Sequence, residues 1–352
     1  NYQFEKQLSD INFLSNLRLI PKSSSLRLIN PLKISKIKAR ANSLKETLEV
    51  LFIFLKKLRL TQSTSSLIPT KSILHQKLKD LKNLYPNHQF FCVRADIAEC
   101  YPSINQQKMF SILEKLIDSN EKNKLYFMKK YDVVTKNKGK FFVRHCLYFD
   151  DGEKSLAKIV KENGSRMRDS IILPKFYVKK YRLGYILDSF KSYLFSSYIT
   201  NGPRSYYHLK RGIKQGGALS SELCVIYIQD LVKNYFSDFG SSQDEIFITH
   251  ADDFLFISNS LDRAKQFIQV LQNGFEEYQL KINVNKLEAN FDCPELSIVK
   301  SNVIYFGHSI DSSLQLKADY TSYYNQNITN SFNFNPLSSL ESIITNLISM
   351  FN

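Results

Sequence analysis

Residues 246–257 read Ile246-Phe247-Ile248-Thr249-His250-Ala251-Asp252-Asp253-Phe254-Leu255-Phe256-Ile257. Two apolar, β-prone runs flank two adjacent acids, which is the pattern of a hairpin carrying carboxylates at its turn. Such a turn can offer oxygen ligands to a hard divalent cation. On its own the pair reads equally well as a solvated turn. Upstream, Phe91-Cys92-Val93-Arg94-Ala95-Asp96-Ile97 is a second apolar strand with one acid near its end. If both segments pair in one sheet, Asp96 and Asp252 converge from distant parts of the chain. Acids placed in this way form the two-metal site of a nucleotidyl-transfer enzyme.

With 352 residues the chain is long enough for two to three subdomains and too long for a simple binding module. Lys plus Arg number 48 against 33 Asp plus Glu, a net charge of +15 and a pI near 9.4. That balance favours a polyanionic partner, nucleic acid first, over an acidic small molecule, although a biased genome produces the same composition. The 20 Tyr and 26 Phe supply stacking surfaces for bases, with most Phe expected in the core. Cys92, Cys100, Cys146, Cys224 and Cys293 are odd in number and lack CxxC spacing. They indicate neither a disulfide framework nor a zinc site, and a reducing compartment. The six histidines, including His250 and His308, show no ligand spacing either. The longest apolar run, Leu48 to Leu55, contains Glu49 and stops at Lys56-Lys57, short of a membrane span. No signal-peptide pattern is present. The first residue is Asn1 rather than Met, so the chain is read as a piece of a longer protein.

Leu17 to Lys22 and Leu26 to Pro31, joined by Ser23-Ser24-Ser25, predict a hairpin that carries cations on both strands. Ser43 with Glu46 makes a capping box and predicts a helix start, followed by Leu44, Leu48, Leu51, Leu55 and Leu58 as its packing stripe. Residues Gln106 to Tyr198 are Lys-rich and predict helices separated by Lys136-Asn137-Lys138-Gly139-Lys140 and Asp150-Asp151-Gly152-Glu153. They read as an insertion between catalytic strands. Gly212 to Ser221 is a Gly-rich loop entering an apolar helix, Leu223 to Leu231. Such a loop lets a nucleotide approach the backbone, or is an ordinary helix entry.

In this order the segments resemble reverse transcriptases, and specifically the telomerase reverse transcriptase family. The hairpin Leu17 to Pro31 is similar to its motifs 1 and 2, Val93 to Tyr101 to motif A, and Gly212 to Asp230 to motif B′. Ala251-Asp252-Asp253-Phe254 resembles motif C, Asn283 to Phe291 motif D, and Ile304-Tyr305-Phe306-Gly307 motif E, the primer grip. The long stretch between motifs A and B′ resembles that family's insertion in fingers. Asp319-Tyr320-Thr321-Ser322-Tyr323 and Ser331-Phe332-Asn333-Phe334-Asn335 resemble its entry to the thumb. Lys214 stands where proline is usual, Gly217 where serine is commoner, and Ala251 precedes the acids in the manner of retroelement enzymes.

The resemblance implies an α+β right-hand polymerase: fingers and a palm, an antiparallel sheet flanked by helices, with the start of an α-helical thumb. Fingers would occupy 1–90, a palm strand with motif A 91–105, the insertion 106–198, the rest of the palm 199–310, and the thumb or C-terminal extension 311–352. It implies an RNA-directed DNA polymerase that copies a telomerase RNA onto single-stranded telomeric 3′ ends, using dNTPs and two Mg²⁺ ions. Accessory proteins, a nuclear location at chromosome ends and no membrane association follow. Asp96, Asp252 and Asp253, with the Ile97 carbonyl, would hold the metals. Lys286 would protonate pyrophosphate as a general acid. Lys22 and Arg27 would neutralise the triphosphate. Tyr101 would exclude a ribose 2′-hydroxyl, Gln215 and Gly216 would support the nucleotide and templating base, and Tyr305, Phe306 and Gly307 would grip the primer. Two other readings stay open: a retroelement enzyme, particularly a Penelope-like one, and a catalytically silent nucleic-acid-binding scaffold.

Overall fold

The computed structural model describes residues 13–21, 26–29, 38–61, 71–117, 122–137, 140–150, 170–200, 206–293 and 299–319. The chain opens with strand β1 (Phe13–Asn16) and the antiparallel pair β2 (Arg18–Pro21) and β3 (Leu26–Ile29). The expected hairpin is therefore present, while Lys22 at its tip and the thumb segments beyond Asp319 lie outside the described residues.

Helix α1 (Lys38–Thr61) buries Leu48, Leu51, Leu55 and Leu58, the stripe that the helical period requires. Its start differs from the capping-box expectation. The run Lys38-Ala39-Arg40-Ala41 has high helix propensity and carries the helix more than a turn further back. Ser43 thus lies inside the helix, its carbonyl accepting the Thr47 hydroxyl at 3.0 Å. Glu46 is drawn away by Lys179 at 2.5 Å and by the Tyr181 hydroxyl. Helix α2 (Lys71–Leu84) leads to β4 (Phe91–Asp96), followed by the short α3 (Cys100–Ser103) and by α4 (Gln106–Ile117).

Between 125 and 182 the helix expectation is overturned. Three long strands, β5 (Leu125–Asn137), β6 (Lys140–Asp150) and β7 (Ser170–Arg182), form an antiparallel sheet in the order β6-β5-β7. Dense lysine hides runs of β-branched and aromatic residues, Val133-Val134-Thr135, Phe141-Phe142-Val143 and Ile171-Ile172, which favour strand over helix. The flanking helices are not part of this sheet. Met109, Ile112 and Leu113 of α4 join Ile186, Leu187 and Phe190 of α5 (Leu183–Phe195) in the main core.

Strand β8 (Ser197–Thr200) pairs in parallel with β1 and antiparallel with β9 (Tyr206–His208), and α6 (Ser220–Tyr235) follows. Then come β10 (Glu245–His250), β11 (Asp253–Ser258), α7 (Leu261–Asn273) and the short β12 (Glu288–Ala289). The central sheet runs β10-β11-β4-β12, all antiparallel. Successive side chains point to opposite faces, and here both faces are covered. Val93, Ala95, Phe254 and Phe256 face the main core with Phe236 and Phe267. Cys92, Ile246, Ile248, Leu255 and Ile257 face a second core built on Leu74, Leu78 and Leu81 of α2. The sheet β13 (Val303–Tyr305), β14 (His308–Ile310) and β15 (Leu316–Ala318) closes that second core through Val303, Tyr305 and Ile310. Each fully buried Phe, Ile or Leu here contributes about 1.5–3 kcal/mol, so the ends of the central strands are held by a rigid support. Among the described residues no helix is long and apolar enough to cross a membrane.

Candidate active site

Register places the acids. β11 pairs with β4 so that Asp253 lies opposite Asp96, and β10 pairs with β11 so that only Ala251 and Asp252 form the turn. Ala251 takes a left-handed conformation, φ 52°, a costly choice for alanine that the short turn imposes. Asp252 is thereby lifted to the sheet edge beside Asp96, and its carbonyl accepts the Ile97 amide at 3.1 Å. Its carboxyl is raised above the ordinary carboxylate range, first by burial and then by the charges of Asp96 and Asp253. A carboxyl raised by burial beside other acids is a position that favours a neighbouring positive charge.

Lys286 provides one such charge, with its Nζ 2.9 Å from Asp96 Oδ2. The segment around it is fixed by the Asn283 amide, which donates to the Asp96 carbonyl at 2.8 Å. Asp253 is turned differently: Arg94 Nη2 approaches its Oδ1 at 3.3 Å. Arg94 sits two positions before Asp96 and so on the same face of β4. This partner was legible in the quoted strand, where the period of two aligns it with Asp96, yet the reading of the acids alone passed it over.

The Gly-rich loop is seated by backbone contacts. The Ile213 amide donates to the Tyr101 carbonyl at 2.9 Å and the Gly212 amide to the Ile104 carbonyl at 3.1 Å. Gly212 has φ 71°, and a Cβ there would lie 2.6 Å from the Pro102 carbonyl oxygen. Gly216, with φ 80°, would place a Cβ 2.6 Å from Ile29 Cγ2. Glycine is needed at both positions for conformation and for close approach. Gln215 is half-buried beside it, and Tyr101 is half-buried with its ring against the main core. Arg27 lies on β3, opposite Ile20, at the same hairpin that Gly216 touches.

Tyr305-Phe306-Gly307-His308 is a two-residue hairpin in which Phe306 (φ 52°) and Gly307 (φ 72°) both take positive φ, as the twist of a tight hairpin demands. The Phe306 ring meets His250 at 4.7 Å, and the Tyr305 hydroxyl donates to the Asp253 carbonyl at 3.4 Å. The segment read as a primer grip therefore abuts the acidic turn directly.

Among the described residues no three Asp, Glu, His or Cys side chains converge as a ready-made metal cage. Magnesium seldom needs one, since it binds through one or two carboxylates and completes its shell with water and substrate phosphates. The Asp96–Asp252 pair fits that donor set.

Palm sheet, acidic turn and glycine loop together define a polymerase of the right-hand class. Residues 169–310 match the reverse transcriptase (RNA-dependent DNA polymerase) family. Over 211 residues, 58% of this chain and 18% of the relative, the sequence is 27% identical to telomerase reverse transcriptase of Mus musculus. Over 356 residues, 90% of this chain and 27% of the relative, it is 27% identical to that of Oryza sativa subsp. japonica. A solved structure of telomerase from Candida albicans, in complex with a TWJ fragment of telomeric RNA, shares the fold. Its TM-score is 0.65 at 20% identity, covering 88% of this chain and 46% of that one. The chain is thus similar to reverse transcriptases, and to telomerase reverse transcriptases in particular, of which it spans less than a third of the length in these two relatives.

Proposed function

We propose that this chain catalyses RNA-directed addition of deoxynucleotides to chromosome 3′ ends, as the catalytic part of a telomerase. The observation that carries this reading is the register that sets Asp96 opposite Asp253 with Asp252 in the turn between strands. Asp96 and Asp252 would hold two divalent cations, Mg²⁺ by the hardness of their oxygen donors. When bound, such ions lower the pKa of a primer 3′-hydroxyl and neutralise the triphosphate.

The protein's own groups then have distinct tasks. Arg94 holds Asp253 out of the pair and fixes its orientation. Lys286, already 2.9 Å from Asp96, is positioned to bring a proton to the leaving pyrophosphate. Lys22, and Arg27 on the hairpin that Gly216 abuts, would take the triphosphate oxygens, Arg27 bidentately. Gln215 and Gly216 would support the nascent pair, Tyr101 would crowd a 2′-hydroxyl, and Tyr305 to Gly307 would hold the primer end. With a net charge of +15, the chain should bind an RNA–DNA duplex in a salt-dependent manner. The relatives' names and the telomeric RNA bound in the solved Candida albicans structure support a telomeric DNA end and an RNA template as partners; accessory proteins and a place at chromosome ends in the nucleus belong to the same proposal.

Extension of a DNA primer on an RNA template in Mg²⁺ tests the reading. Template-directed dNTP addition is expected from the chain and absent in Asp96→Ala. Addition should be sparse with arbitrary RNA and become repetitive when the cognate RNA is supplied. Processive copying of any template by the chain alone would point to a retroelement enzyme, and duplex binding without extension to a silent scaffold.

A further inference from the structure

One buried cation has no task in this mechanism. Lys214 lies in the loop between Arg211 and Gln215 and is 1% exposed. Its Nζ donates to the Phe13 carbonyl of β1 at 2.8 Å and stands over the rings of Phe13 and Tyr193 at 5.9 and 5.5 Å. Burial lowers its amine to about 7, with no charged neighbour contributing. The neighbouring glycine belongs to the same arrangement. A Cβ at Gly217 would come within 2.6 Å of the Tyr193 hydroxyl, 2.7 Å of Ser220 Oγ and 3.1 Å of Lys214 Cβ. The two positions at which this loop departs from the resembled motif are thus one packing solution. Tyr193 supports the lysine with its ring and occupies the space a side chain at 217 would need.

Lys214 joins two parts of the site. On one side it grips β1, which runs into the hairpin β2–β3 two residues later. On the other it precedes Gln215 and Gly216, the latter lying against Ile29 on β3. An amine and an ammonium behave differently in such a pocket. The neutral form has two N–H donors and tolerates an apolar setting with one good acceptor. The ammonium has three donors against one carbonyl and two ring faces, with no counter-charge among the described residues, and so favours opening toward water.

The geometry points to Lys214 as a positioning residue for nucleotide addition: its charge state sets how firmly the 212–217 loop is seated on β1 and the hairpin, and hence where Gln215 and Gly216 stand against the incoming nucleotide. The groups facing it leave the lysine as the one that titrates near neutrality. Phe13 and Ser15 on β1 are uncharged, and Tyr193 on α5 is held neutral by a hydroxyl that burial raises above its ordinary value. Ser220 on α6 donates to the Lys214 carbonyl, and Glu222 on the same helix pairs with Arg59 at 3.3 Å. Below pH 7 the ammonium dominates in folded and unfolded chain alike. Between about 7 and the ordinary lysine value of 10.5 the folded chain carries the amine while the unfolded chain stays protonated, so stability rises with pH across that window.

The inference rests on the polymerase reading, and the test separates the two. Nucleotide KM and kcat are measured from pH 6 to 8.5 for wild type, Lys214→Met and Lys214→Arg, with amide exchange followed at residues 13–17 and 212–218. Wild type is expected to show a KM about fivefold higher at pH 6 than at pH 8, the lower end of typical coupling. Lys214→Met should flatten that profile, and Lys214→Arg should hold the acid-side KM throughout. Protection of the two segments should fall together below pH 7 in wild type and stay level in Lys214→Met. Parallel KM profiles for wild type and Lys214→Met, or protection equally pH-dependent in both, would overturn the inference. Absence of extension in every form, with the protection difference intact, would remove the polymerase reading and leave the lysine's hold on the loop standing.

Discussion

Two antiparallel sheets in this molecule do opposite things. The central sheet β10-β11-β4-β12 has strands of two to six residues, covered on both faces by apolar side chains. The sheet β6-β5-β7 has strands of 11 to 13 residues but is anchored to the main core at one end only, by Met128, Leu147, Tyr126 and Tyr181. Toward the other end Phe141, Phe142, Val143, Ile171 and Leu173 are exposed, while Asp132, itself buried, is paired with His145 at 2.7 Å and Lys175 at 2.9 Å. Burial on both faces fixes the central strand ends closely enough to keep the carboxylates side by side. Length without burial gives reach and surface instead. Only the first sheet has the rigidity that catalytic positioning requires.

The comparison breaks most visibly at the acids. Asp96→Ala and Asp252→Ala are each expected to reduce nucleotide addition by about a thousandfold or more. Binding of an RNA–DNA duplex should change little, because it rests on distributed phosphate contacts. Rates near wild type in either variant would remove the site from the central sheet.

Packing supplies the next effect. Phe254→Ala opens a cavity among Phe236, Phe247 and Phe267 and should cost about 3–5 kcal/mol in urea unfolding. An equal cost for Phe142→Ala on the long sheet would erase the distinction between the two. Gly217→Ser should cost about 1–3 kcal/mol by overpacking, with part of it recovered in a Tyr193→Phe background, where the obstructing hydroxyl is gone.

A smaller effect has the opposite sign. Burial and like charges raise the Asp252 carboxyl in the folded chain, so ionising it costs stability. That cost is absent below the ordinary aspartate value, near 3.8, and complete above the raised folded value. Asp252→Asn is therefore expected to stabilise the inactive protein at neutral pH, with the gain vanishing toward pH 3.8. Destabilisation at neutral pH would mean that its partners, not its charge, dominate. At the small end, Phe142→Ser and Ile171→Thr should change stability by no more than about 0.5 kcal/mol and leave single-nucleotide addition intact.

The central sheet was legible because its signals agree. Apolar strands, an acid at each relevant end and a turn too short for any alternative point to one register, and the order of motifs adds to it. The long sheet was not, because β5 and β7 mix apolar runs with lysines and lack the alternation that would distinguish strand from helix, while the helices at its ends mix with it in sequence but join the core in space. Ser43 misled for a related reason: a cap signal loses to four strong helix formers immediately before it. The burial of Lys214 could not be read at all, since its partners Phe13 and Tyr193 come from β1 and α5 and meet only in the folded chain.

The claim that Asp96 and Asp252 share a metal site is tested most directly by localised cleavage. Fe²⁺ substituted for Mg²⁺ with ascorbate and peroxide cuts the backbone beside the bound ion. The account predicts cuts near residues 96–97 and 251–253, suppressed by excess Mg²⁺ and lost in Asp96→Ala. Cuts elsewhere, or cuts at those positions that persist without Asp96, would contradict it.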